Sequence, residues 1–182
     1  IGAARTGEKA LKGFIQKFGV EAVRDFISAW LDYSERRTAA AIRKLPKASL
    51  SNKGQHDPLG EFLPDAVPLN VSIDIDPDNA KIIVDLRDNI DCVDSGINQS
   101  EATAIANAIT GVFNCLEYDL PLNSGSFRRV EVLLRKNCVA GIPQYPHSCS
   151  TATTLLADVI VNVTQSAFAD LGDGFGLSEG NI

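Results

Sequence analysis

The 182-residue chain contains no methionine and begins at Ile1. On that evidence it reads as an excised or processed chain or as part of something longer, and its function is expected to belong mainly to residues outside it. Histidine occurs only at His56 and His147. Residues that far apart in sequence lack the close spacing of a metal-ligand pair, and His56-Asp57 is at most half of a site. Cation excess is missing too, since 17 Lys+Arg against 23 Asp+Glu give a net charge of −6. That argues against a nucleic-acid surface, where phosphate binding needs clustered positive charge. No apolar run approaches the ~20 residues that span a bilayer. No charged segment followed by an apolar one opens the chain as a secretory leader would, so a cytoplasmic location is expected. The four cysteines, Cys92, Cys115, Cys138 and Cys149, form no Cys-x-x-Cys. A chain of this size buries roughly 70% of its unfolded surface and needs no staple, so reduced thiols are expected.

The hydrophobic pattern changes period along the chain. Leu11, Phe14, Ile15 and Phe18 recur at helical spacing, and Gly19 fits a helix end. A longer helix follows, with Val23, Phe26, Ile27, Trp30, Leu31, Ala41, Ile42 and Leu45 as its buried residues and Pro46 closing it. The tight turn and the basic run Arg36, Arg37, Arg43, Lys44 and Lys47 suggest a helix-turn-helix; the acidic total favours a solvated face instead. Four prolines and two glycines over 46–68 predict a linker. Beyond it Val71, Ile73 and Ile75, then Ile82, Val84 and Leu86, alternate as a hairpin about Pro77-Asp78-Asn79. A helix over 99–117 is predicted with Asn98 and Glu101 as its capping box, then a strand at Val130, Val132 and Leu134. A last helix is expected at about 151–171, capped by Ser148 or Ser150, before a flexible turn region at Gly172, Gly174, Gly176 and Gly180. The resulting fold class is α+β: an N-terminal helix pair, then antiparallel strands packed with two long helices. The units expected are the helical pair 1–46, a Pro/Gly-rich linker 47–68 and an α+β segment 69–182.

Candidate chemistry is sparse. Asp74-x-Asp76-x-Asp78 opens like a calcium loop, but Asn79 replaces the required Gly, Asp85 the closing Glu, and Pro77 interrupts. Cys149, placed near a predicted helix start, is a candidate nucleophile with His147 as its base; the plainer reading is a small buried residue among capping hydroxyls. His147, on a Pro-bounded loop, is also a candidate substrate contact. Asp85 and Arg87 share one strand face. They make either a rim salt bridge or a contact to an anion or amide, and the salt bridge is favoured.

Several of these segments, in order, resemble the hydantoinase B/oxoprolinase family. They are Leu31 to Arg37, Asp85-Leu86-Arg87-Asp88-Asn89, Gly96-Ile97-Asn98, Pro121 to Arg129 and Ser148 to Thr154. Ala4-Arg5-Thr6-Gly7-Glu8 is similar to the family's Asn-Arg-x-Gly-Glu, with Ala4 in place of Asn. Asp-Leu-Arg-Asp-Asn and Ser-Cys-Ser resemble the branch that includes acetone and acetophenone carboxylases. The resemblance runs from Ala4 to Asn181 apart from 46–68, and it implies a fragment of a longer subunit. That subunit would work with an ATP-binding hydantoinase A-type partner, with the rest of its own chain and with a small-molecule substrate. It would activate a cyclic amide for hydrolysis, or a ketone for carboxylation, at the expense of ATP. ATP and a divalent metal are implied for the full complex and no cofactor is expected on this segment, because the family's metal ligands are implied to lie upstream. The resemblance assigns no catalytic residue here. Asp85, Arg87, Asn98, Asn123 and His147 stand as candidate substrate contacts, and the piece alone is expected to be inactive. Two rival readings are a non-catalytic assembly module, docking through the helix pair and helix 99–117, and a Cys149-dependent amidase.

Overall fold

Strict alternation of apolar and polar residues makes residues 67–76 the spine of the molecule. In the computed structural model, which describes residues 2–172 and 174–176, this segment is strand β2 (Val67–Asp76). Val67, Leu69, Val71, Ile73 and Ile75 are buried on one face. It pairs antiparallel with β1 (Ala48–His56) on one side and with β3 (Lys81–Asp85) on the other. Asp76 accepts hydrogen bonds from the Asn79 backbone (3.1 Å) and side chain (2.6 Å), so the aspartates read against a calcium loop form a charged hairpin turn.

Two expectations about the sheet are corrected. Residues 48–56, expected within the linker, are a nine-residue edge strand. The pattern was hidden because little of β1 is apolar: only Leu50 is fully buried. Gly54 is a close approach rather than a breaker, since a side chain there would put its Cβ 2.5 Å from Val163 on the last helix. The strands are also not all antiparallel: β4 (Val130–Leu133) runs parallel to β3, completing the order β1-β2-β3-β4. A long crossover separates these two strands, which is what a parallel pair requires.

That crossover contains α3 (Glu101–Phe113) and the single turn α4 (Ser124–Phe127). Helix α5 (Leu156–Phe168) packs with α3 and across β1 and β2. Helix α3 is capped by Ser100, whose hydroxyl accepts from the Thr103 amide at 3.2 Å; Asn98 does not cap it. Helix α5 starts at Leu156 with no side-chain cap, so neither Ser148 nor Ser150 holds that role. Within the expected glycine tail, Gly180 lies outside the described residues.

Helices α1 (Gly2–Phe18) and α2 (Val20–Ile42) are separated by Gly19, with φ 84°. The expected burial of their apolar stripe is also corrected. Helix α1 buries no residue, and α2 buries only Ser34, Thr38, Ala39, Ala41 and Ile42. Phe26, Ile27 and Trp30 are exposed.

The buried end of α2 is held by the segment 117–129. A side chain at Gly125 would overlap the carbonyl oxygen of Leu31, so α4 sits directly on the α2 backbone. Arg128 bonds Asp32 (3.0 Å) and Glu35 (2.9 Å), and Arg129 bonds Glu35 (2.7 Å). Arg37 pairs with Asp119 (2.9 Å) and Lys44 with Glu117 (2.5 Å). Arg37 and Lys44, read as part of a solvated face, thus pair with acids of this chain.

Candidate functional site

Parallel pairing brings the carboxyl ends of β3 and β4 side by side, and the loops leaving them carry most of the polar side chains singled out from sequence. Leu86 continues the ladder by donating to the Leu133 carbonyl at 3.0 Å. Arg87 then folds back on Asp85. Its backbone N–H and Nε donate to Oδ1 at 2.9 and 3.0 Å, and Nη2 donates to Oδ2 at 2.7 Å. The guanidinium holds the Asp85 carboxyl below its ordinary pKa, against a smaller upward push from burial. The two do form the rim ion pair that their shared strand face suggests.

Two residues that sequence reasoning missed lock this loop. The buried Asn89 side chain accepts from the Asn70 amide (2.8 Å) and donates to the carbonyls of Asn70 (2.9 Å) and Leu86 (2.8 Å). Arg135, beyond β4, donates to the carbonyls of Arg87 (2.9 Å), Asn89 (2.5 Å) and Asn137 (2.8 Å) and pairs with Asp91 (2.8 Å). For Asn89 a signal existed: it closes the Asp-Leu-Arg-Asp-Asn motif. For Arg135 there was none, because its partners are backbone atoms distant in sequence.

Asn98 ties two loops together. Its Oδ1 accepts from the Val93 amide (2.9 Å). Its Nδ2 donates to the carbonyls of Val93 (2.9 Å), Ser95 (2.8 Å) and Ser148 (2.9 Å). Buried Gln99 adds a 2.5 Å bond to the Ala152 carbonyl, and the Thr151 amide and hydroxyl each reach the Gly96 carbonyl at 2.9 Å. Asn123 lies elsewhere: it caps α4 and donates to the Ser34 hydroxyl of α2 at 2.9 Å.

His147 stands at the seam of these loops, after a cis Tyr145-Pro146 bond. Its Nδ1 is buried without a hydrogen-bond partner and lies 3.9 Å from Oδ1 of the exposed Asp94. That is beyond hydrogen-bond reach. Asp94 also lines an open cleft of about 310 Å³ with Phe62, Pro64, Ile90, Val93 and Ser95. Asp94 and the cleft were not foreseen, since they depend on residues 60–67 meeting the loop after β3.

The expected setting of Cys149 is corrected, because α5 begins seven residues later and its dipole does not reach the thiol. Burial pushes Cys92 and Cys138 above the ordinary thiol range and Cys115 up to about 11, so none of these three is an activated nucleophile. Among the described residues no group of three or more His, Cys, Asp or Glu could hold a metal ion. The divalent metal implied by the resemblance does not fit the described residues.

A mixed sheet with an outlying helix pair, and loops tied together by Asn98, define an α+β fold. The chain belongs to the hydantoinase B/oxoprolinase family, whose sequence model matches residues 1–176. It is 26% identical over 164 residues to the caprolactamase subunit beta of Pseudomonas jessenii, covering 87% of this chain and 27% of that one. The crystal structure of the ATP-dependent caprolactamase from that organism superposes with TM-score 0.80 at 19% identity, over 94% of this chain and 29% of that chain. A nucleotide-free acetone carboxylase structure matches with TM-score 0.75 at 12% identity, over 89% of this chain and 22% of that chain. The chain therefore spans about a quarter of the length of the relatives it matches. No described helix is long and apolar enough to cross a membrane.

Proposed function

We propose that the chain is a segment of the β-type subunit of a cytoplasmic, ATP-dependent enzyme that hydrolyses a cyclic amide. The observation that carries this reading is family membership over residues 1–176 together with the caprolactamase fold over 94% of the chain. An amide carbonyl is a poor electrophile because nitrogen donates into it, and coupling to ATP supplies the activation. The ATP site belongs to an A-type partner subunit. The metal site belongs to residues of the longer subunit beyond these, and no step here runs through it.

Within the segment, His147 is the candidate proton acceptor: its buried Nδ1 has no hydrogen-bond partner, and Asp94, at 3.9 Å, is the nearest carboxylate that could orient it. Nε and Nη2 of Arg87 are occupied by Asp85, leaving Nη1 for a substrate oxygen at the rim. Asn98 and Asn123 act as ties within the chain, since their amides are already engaged.

The test is ring opening of a lactam and of a hydantoin by the intact subunit assembled with its ATP-binding partner. ADP release should match ring opening, and His147→Ala should lower the rate roughly 100-fold with assembly unchanged. The 182-residue chain alone should open no ring. ATP-dependent fixation of bicarbonate into a ketone, without ring opening, would replace this reading by carboxylation.

A further inference from the structure

The inner faces of α1 and α2 form an open apolar groove of about 440 Å³ lined by Leu11, Phe14, Phe18, Phe26 and Ile27. Trp30 extends it, stacked between Phe26 and Tyr33. Phe14 is 58% exposed and Phe26 67%. With Val20 and Tyr33, the large apolar side chains of the pair expose on the order of 800 Å², counting a free aromatic as ~200 Å². This area is spread along both helices and only part of it lies in the groove, but clustered exposed aromatics of this kind mark a binding face. On α2 the charged residues of this half, Glu21, Arg24, Asp25 and Asp32, project away from the groove at helical spacing. The surface that covers it is therefore mainly apolar, with the Lys17 ammonium, 4.9 Å from the Phe18 ring centroid, at the groove's α1 edge.

Two further observations select the occupant. Superposition on caprolactamase covers 94% of this chain, and the uncovered remainder is shorter than α1. At least part of α1 therefore has a structural counterpart in a chain of which the match covers 29%. Among the described residues α1 packs chiefly on α2 and buries none of its own side chains.

We propose that the α1–α2 groove is the seat of an apolar segment of the same subunit, contributed by chain beyond these 182 residues. This rests on the reading above, that the chain works inside a longer subunit. The groove is then an internal joint of that subunit, formed before the ATP-binding partner arrives.

The test is photo-crosslinking from Phe26→p-benzoylphenylalanine in the intact, partner-bound enzyme. The expected result is a crosslink within the same subunit, mapped outside residues 1–182. A crosslink to the ATP-binding subunit, a crosslink to a second copy, or no crosslink would each overturn the proposal. Hydrogen exchange on the intact subunit provides a second readout: α1 amides should be equally protected with and without the ATP-binding partner. Protection that arises only when the partner is added would overturn the proposal independently. A native protein of only 19.5 kDa would remove both this proposal and the proposed function. A same-subunit crosslink in an enzyme that opens no cyclic amide would leave the joint intact and refute only the function.

Discussion

Phe26 and Ile42 are large apolar residues on the same helix, about 160° apart around its axis, yet Phe26 is 67% exposed and Ile42 is fully buried. Between them the helix passes from open groove to packed core. The difference teaches that amphipathic periodicity records a demand for a partner, and does not say whether the partner is in the same stretch of chain. At Ile42 the demand is met by the sheet. At Phe26 it is not met within the described residues.

The sharpest way to test this contrast is to truncate both ends of α2 in the 182-residue chain. Ile42→Ala should cost about 3 kcal/mol in urea unfolding by removing packed methyl groups from the core. Phe26→Ala should change stability by less than about 0.5 kcal/mol, as at an exposed site. An equal loss at the two positions would mean that the groove is closed in the isolated chain.

A loss of roughly 2–3 kcal/mol is expected for Asn98→Ala, because the Val93 amide and three carbonyls lose their shared partner inside the loops. The local readout is faster exchange of amides 148–152, while α1 exchange stays as it was. Coupled loss in α1 would erase the distinction between the laced loops and the free helices.

A smaller effect concerns pH. Arg128 holds Glu35 below its ordinary pKa, and Arg87 does the same for Asp85. A carboxyl with depressed folded pKa contributes stability that is present above its unfolded pKa, about 4, and is lost as pH falls through the folded value. Tm should therefore drop on acidification below about pH 4, and Glu35→Gln should flatten part of that drop. An unchanged acid limb would show the Glu35 ion pairs to be energetically idle. The smallest change expected is a gain: Gly13→Ala in α1, where an added methyl meets nothing within 4 Å, should raise helix stability by about 0.5–1 kcal/mol.

Where the signal is periodic and local, it was legible. The hairpin at Pro77-Asp78-Asn79, the α3 stripe and the break at Gly19 all follow from spacing and turn chemistry. The Asp85–Arg87 pair was legible because two residues on one strand face meet whatever the rest of the fold does. Asn98 shows the limit. Its position ahead of a helix suggested a cap, yet Ser100 takes that role and Asn98 reaches the Ser148 carbonyl instead. β1 escaped notice because an edge strand with one fully buried residue carries little apolar alternation.

The sequence by itself determined the α+β class, the helix pair, the hairpin and the family resemblance, because each rests on near-neighbour geometry or on the order of short motifs. Only the tertiary structure decided that β4 lies parallel to β3, that Asp94 stands opposite His147, and that the described residues leave α1 uncovered. Those outcomes depend on residues tens of positions apart meeting in space, and on packing surface that is present or absent, which no local pattern encodes.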